Sequence, residues 1–252
     1  MRHWIKAALI GAAICAATPA IAQTSADYAA AVTAPGRPSD QVALDAGRKP
    51  AEVLEFLGLK RGMTAADIMA GAGYYSEIMG RIVGPNGKVI AYEPTQFYEN
   101  DKAKALWATL TGRAPNVTVS PYAWGEFAAP ANSLDFSLLH LVYHDLYWES
   151  TQYKIPRTDP AAFLRVLFAA TRKGGIVGVI DHVAVPGDTR TAVEKWHRMD
   201  PEVIKADFAA AGFVLEAESP VLRMADDDHS KGVFDPAIRG RTDRVVYRFR
   251  KP

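Results

Sequence analysis

Cysteine is almost missing from this 252-residue chain; the one present is Cys15. It lies in a stretch that reads as removable, so the remaining chain has no disulfide and no cysteine chemistry in any compartment. Charge of one sign is missing too. With 29 basic and 28 acidic residues the formal net charge is +1, which argues against a binder of nucleic-acid backbones. There is no low-complexity segment and no internal repeat. Long apolar runs are absent apart from residues 7–17, too short for a span of about 20 residues.

What is present begins with that run. MRHWIKAALIGAAICAATPAIAQ has a short basic start (Arg2, Lys6), an apolar centre and Ala20-Ile21-Ala22 at its end. This is the pattern of a secretory signal peptide cleaved after Ala22. A membrane anchor, or a lipid anchor at Cys15, is the competing reading; bulky Ile14 weighs against the second. Cleavage turns the net charge from +1 to −1. The protein is therefore expected to be exported, to the periplasm, with no stable membrane anchor. Residues 23–47 read as a flexible lead-in, with Ser39-Asp40 a possible cap, and residues 48–252 as one domain. Its 49% hydrophobic and 23% charged content suits a globular protein with a full core.

That domain is organised around TAADIMAGAGYYSEIMGRIVGPNGKVIAYEP, residues 64–94. It reads as a strand, a small-residue turn, a helix from Tyr74 to Val83, a Gly/Pro turn, and a second strand ending in Glu93. This is the first half of a nucleotide-binding sheet. Before it, Pro50 opens a helix that Gly58 stops. After it come a helix over residues 100–111 ended by Gly112, and strands at 117–120 and 133–139. Asp159-Pro160 caps a helix, Gly174-Gly175 turns into an apolar strand, and Asp200-Pro201 caps another helix. Strands at 213–219 and 242–249 close the chain without a helix between them and must pair antiparallel. The fold class is α/β: a Rossmann-like, doubly wound, mostly parallel seven-stranded sheet with a C-terminal antiparallel hairpin.

The order of these pieces resembles the class I S-adenosylmethionine-dependent methyltransferases. The carrying residues are DIMAGAGYYSE, VIAYEP, SLDFSLLHLVYHD, RKGGIVGVIDH and the closing hairpin. GRKPAEVLEFLGLKRGM and DDDHSKGVFDPAIRGRTDR further resemble a bacterial group of predicted methyltransferases with secretion signals. The family's acid-x-Gly-x-Gly-x-Gly becomes Asp67-x-Met69-x-Gly71-x-Gly73 here, with Met69 in the first glycine's place. The resemblance implies S-adenosyl-L-methionine as cofactor, held by Asp67, Ala70, Gly71, Gly73 and Tyr74. It implies that Glu93 binds the ribose, and that Tyr122 or Trp124 lies against the adenine. The implied reaction is methyl transfer to a small-molecule acceptor, in which alignment alone is worth roughly 7–11 kcal/mol. A non-catalytic binder of S-adenosylmethionine or another nucleoside with the same fold is the alternative. A nicotinamide oxidoreductase fits worse, since the glycine spacing is not G-x-G-x-x-G.

Ligands of such sheets sit beyond the strand ends, where strand order reverses. Candidate bases there are His140, His144, Asp145 and His182, histidine being suited to neutral pH. A His140-x-x-x-His144 metal site with Asp181 or His182 is a competing reading; the reading adopted places no metal. The charge-dense loop 223–241, with Asp227, His229 and Arg239, is a candidate lid. His197 and Arg198 are candidate substrate contacts, Arg198 for a carboxylate or phosphate, or else for an acid nearby. The acceptor and the oligomeric state are not legible.

Overall fold

The computed structural model describes residues 23–252; the expected signal peptide lies outside the described residues. Seven strands form one sheet. β1 (Thr64–Ile68) is central, flanked in parallel by β2 (Lys88–Pro94) and β4 (Leu134–His140). β3 (Val117–Tyr122) extends one edge beside β2, and β5 (Thr171–His182) pairs parallel with β4. β7 (Arg244–Arg250) runs antiparallel between β5 and β6 (Val214–Glu218), giving the order β3-β2-β1-β4-β5-β7-β6. Strand order reverses between β1 and β4, so the crevice opens there, as expected.

Alternation along the strands feeds two cores. Ala65, Leu138 and Val246 point to one face; Ala66, Leu139 and Tyr247 point to the other. The first face is covered by α4 (Pro50–Leu57), α5 (Tyr74–Val83) and α7 (Asp101–Arg113), through Leu54, Ile78, Met79 and Trp107. The second is covered by α8 (Pro160–Ala170) and α10 (Pro201–Ala210), through Leu167 and Phe208. The expected caps hold except at Ser39-Asp40, where Pro38 precedes the helix and Ser39 is its first residue. Asp159 and Asp200 accept from the backbone N–H groups of Ala161 and Glu202, and Gly58 ends α4 in the left-handed region.

Four expectations are corrected. The flexible lead-in is helical, with α1 (Ser25–Thr33), α2 (Ser39–Val42) and α3 (Asp45–Arg48), and α1 packs against α4 and α5 on the first face. Tyr28 is buried there and donates to the Leu59 carbonyl at 2.6 Å. Its alanine-rich run looked featureless because only Tyr28, Ala31 and Val32 touch the core. α7 runs through Gly112 to Arg113. β5 begins at Thr171, before the double glycine. A helix absent from the sequence reading, α9 (Thr189–Trp196), is capped by Asp188. The four-residue α6 (Thr95–Tyr98) and a 3-10 turn at His144–Tyr147 complete the elements. Among the described residues no helix is long and apolar enough to cross a membrane.

Candidate functional site

Two adjoining lobes form a cleft at the C-terminal ends of β1, β2 and β4. The larger, about 650 Å³, is walled by the β1 turn, the end of β4, α7, and the segment from Pro38 to Arg48. The smaller, about 420 Å³, lies between Glu93, Phe97, Trp107, Trp124 and Asp145. Met69, Gly71, Ala72, Leu106 and Val142 border both and mark the joint.

The turn after β1 shows why its residues differ in task. Gly71 has φ +59°, and a Cβ there would meet nothing within 4 Å, because it would point into open cleft. Its N–H donates to Glu93 Oε2 at 2.8 Å. Gly73 has φ +71°, but a Cβ there would lie 2.4 Å from Leu110 and 2.9 Å from Trp107. Gly73 is therefore needed so that α7 can pack on the start of α5, and Gly71 so that a ligand can approach the backbone. Met69 also adopts the left-handed region, at φ +53°. The backbone keeps the shape a glycine would give it, at a cost of roughly 1–2 kcal/mol, and the thioether borders the joint.

The acids of the cleft share one property. Burial raises Asp67 to about 7, against the Ser76 hydroxyl that donates to it at 2.6 Å. Burial raises Glu93 to about 8, opposed by the Gly71 N–H. Burial raises Asp145 to about 6, opposed by His144. Each carboxyl is shifted chiefly by loss of water, a pattern that marks candidate functional sites. Trp124, on the wall of the smaller lobe, likewise has its Nε1 buried without an acceptor among the described residues.

The histidines divide. His140, at the end of β4, borders the larger lobe and lies against the Tyr75 ring at 4.6 Å. Burial, with Arg48 and Arg244 nearby, holds it well below the usual histidine range, so it is neutral at pH 7. Its Nε2 has no partner among the described residues. His144 is locked: Nδ1 lies 2.7 Å from Asp181, and Nε2 3.3 Å from Asp145. Burial opposes charge on His144, but the Asp181 and Asp145 carboxylates outweigh it and raise it to about 9. His182 sits beside the Thr242 hydroxyl at 2.7 Å and is driven to about 3 by burial. Of the four candidate bases only His140 and Asp145 border the cleft; His144 and His182 fix the neighbouring strand ends. Among the described residues no three His, Cys, Asp or Glu side chains converge to hold a metal.

Tyr74 borders the larger lobe with its hydroxyl on Asp45. Ala70 lines the same lobe. Tyr122 borders neither lobe: its ring is edge-on to Phe127 in the second core, and its buried hydroxyl, near Glu93 and Asp145, has no partner among the described residues. The lid expectation is corrected. Arg198 and Asp227 are fully buried and paired bidentately at 2.8 and 2.9 Å. His229 faces Asp243 at 3.1 Å, and Arg239 is exposed. Loop 223–241 borders neither lobe; Asp227 pins it to Arg198, and its Arg223 and His229 are held by Asp243. His197 ends α9 in the left-handed region, between Trp148 and Phe234. The sequence reading missed Gln41, Arg48, Tyr75, Phe97 and Trp107. Only Tyr75, inside GAGYYSE, carried a signal.

Residues 26–110, about a third of the chain, match the family Protein-L-isoaspartate(D-aspartate) O-methyltransferase. Comparison with curated proteins gives no match. Among solved structures, a SAM-dependent methyltransferase from Aquifex aeolicus is 21% identical with a TM-score of 0.57, covering 85% of this chain and 98% of that one. An S-adenosylmethionine-dependent methyltransferase from Mesorhizobium loti is 15% identical with a TM-score of 0.56, covering 82% and 99%. A methyltransferase structure from Bacillus halodurans is 17% identical with a TM-score of 0.56, covering 80% and 98%. The chain has the fold of the class I S-adenosylmethionine-dependent methyltransferases.

Proposed function

We propose that the protein binds S-adenosyl-L-methionine in this cleft and transfers its methyl group to a small-molecule acceptor. The observation that carries the reading is Glu93: a buried carboxyl at the end of β2, bonded to the Gly71 N–H and facing a lobe with an orphaned Trp124 indole. Ribose hydroxyls suit that carboxylate, and a flat base suits the space beside Phe97 and Trp124. Gly71 and Ala70 offer backbone at the joint, and Asp67 supplies a carboxyl beneath it. Bound there, S-adenosylmethionine supplies a methyl group already activated on a sulfonium.

What remains for the chain is to align, desolvate and take a proton. Neutral His140, which borders the larger lobe and whose buried Nε2 has no partner among the described residues, is the group to accept the proton of a hydroxyl or amine nucleophile. His144 acts through others: its ring holds Asp145 on one side and Asp181 on the other. The second reading, a binder without turnover, is favoured by Met69, whose side chain borders the joint. Export to the periplasm belongs to the proposal, and makes the local supply of cofactor the point on which turnover depends.

Incubation with methyl-labelled S-adenosylmethionine and a metabolite extract tests turnover. Label transfer should fall about 10²–10⁴-fold in His140→Ala and stay near wild type in His182→Ala. Equal transfer in wild type and His140→Ala would remove the histidine base. No transfer to any extract, with the cofactor bound, would favour the second reading.

A further inference from the structure

One end of the larger lobe carries positive charge that the protein does not neutralise. Arg48 closes α3 and borders the lobe, its guanidinium 4.3 Å from the centre of the Tyr74 ring. No carboxylate or carbonyl among the described residues accepts a hydrogen bond from its side chain, whereas the neighbouring arginines are settled. Arg37 grips Asp45 with both nitrogens at 2.7 and 2.8 Å. Arg113, on the same lobe's wall, holds Glu77 at 2.7 Å. Arg244 lies buried close by and donates only to the carbonyls of Thr242 and Gly47, so it adds a second charge without a carboxylate. Burial holds Arg48 below its ordinary range, and burial together with its neighbour Arg48 does the same to Arg244.

A guanidinium cannot shed its charge by losing a proton, and the nearest carboxylates, Asp45 and Asp67, act on Arg48 through space without accepting a hydrogen bond from it. A ligand carboxylate that reaches this partly exposed guanidinium in the lobe supplies the direct pair. The cofactor by itself does not balance the account: S-adenosylmethionine brings a sulfonium and an ammonium against one carboxylate, one more positive charge than negative. Asp67 offers at most one negative charge in return, and its hydrogen bond goes to Ser76.

We propose that the methyl acceptor carries a carboxylate and that Arg48 recognises it. The planar fork of arginine matches a carboxylate with two parallel hydrogen bonds. Arg48, Tyr74, Tyr75 and His140 form a run of successive contacts, the two tyrosine rings edge-on at 5.0 Å and Tyr75 tilted against His140 at 4.6 Å. The acceptor's anion therefore sits at Arg48 and its nucleophile at the far end of this run of rings, where His140 borders the lobe. In the transfer, the nucleophile forms a bond to the methyl carbon as the carbon–sulfur bond breaks. That bond's electron pair stays on sulfur as a neutral thioether, and the nucleophile's proton goes to His140. The proposal rests on the methyltransferase reading.

Calorimetry on wild type, Arg48→Gln and Arg48→Lys separates the possibilities, with three probes: S-adenosylhomocysteine, 5′-methylthioadenosine, and benzoate added to the S-adenosylhomocysteine complex. Arg48→Gln should weaken benzoate at least tenfold and Arg48→Lys by less, while both nucleosides bind within threefold of wild type. Loss of S-adenosylhomocysteine affinity alone, with methylthioadenosine unchanged, would assign Arg48 to the cofactor's own carboxylate and overturn the proposal. Benzoate binding that is absent, or equal in wild type and Arg48→Gln, overturns it too. If neither nucleoside binds wild type, the cofactor reading fails instead, and benzoate titration of the unliganded protein decides whether Arg48 is an anion site at all.

Discussion

Glu93 shows how one side chain can report occupancy of the site. In the unliganded protein its carboxyl is raised to about 8 by burial, so it is protonated at neutral pH. Ribose hydroxyls donate to its ionised form, so binding releases a proton. Affinity for S-adenosylhomocysteine should therefore climb as pH rises from 6 to 8, then level off, and Glu93→Gln should flatten the climb. An affinity independent of pH in wild type would remove Glu93 from the ribose. The same shift acts on stability with a definite sign. A raised acid pKa stabilises the unliganded fold below the unfolded value, and that contribution is lost as pH rises through about 8. His144 has the same sign, losing its contribution as pH rises through about 9. His182, lowered to about 3, has the opposite sign, and its contribution is lost as pH falls through that value. At this scale the sequence was partly legible. Glu93, Gly71 and His140 stand at strand ends or turns, which the alternation of strand and helix locates. Arg48 was not legible, because its role comes from the absence of a partner, and partners are a property of the folded chain.

Among the elements, the turn between β1 and α5 and the loop 223–241 carry the separable tests. The two glycines of the turn should behave differently. Gly73→Ala drives a methyl into Leu110 and Trp107 and should destabilise by about 2–4 kcal/mol. Gly71→Ala meets no atom within 4 Å, so only its left-handed backbone opposes it, at about 1–2 kcal/mol. Thermal melting reads the difference, and equal losses would refute the division of labour. In the loop, Asp227→Ala leaves Arg198 buried without its carboxylate, which costs about 3–5 kcal/mol. Melting should fall while S-adenosylhomocysteine affinity in the folded protein stays unchanged; a selective loss of affinity would restore the lid. The loop's charge density looked functional in sequence because charged loops usually face solvent or a ligand. Here Asp227 and Asp243 face Arg198 and Arg223, at positions no local pattern connects. The helices told a similar story. Those opened by Asp-Pro were legible from their caps, whereas α1 hid because its apolar face is mostly alanine.

At the scale of the whole molecule, the closing antiparallel pair beside a reversed strand order is what the sequence made plain. Two final strands without a helix between them leave no other pairing. The N-terminal segment was the opposite case. It reads as a lead-in, yet α1 to α3 supply the wall of the larger lobe and place Gln41, Asp45 and Arg48 around it. The cleft is thus shared between the sheet edge and the N-terminal helical segment, whose Arg48 is where the choice of acceptor should reside. The central claim, that this cleft is a cofactor site, is tested most directly by calorimetric titration of the protein with S-adenosylhomocysteine. The structure predicts saturable binding at one site per chain, weakened about ten- to a hundredfold by Glu93→Gln, as for loss of hydrogen bonds to a charged group worth about 1.5–3 kcal/mol. No heat of binding at millimolar ligand, or binding indifferent to Glu93→Gln, would contradict it.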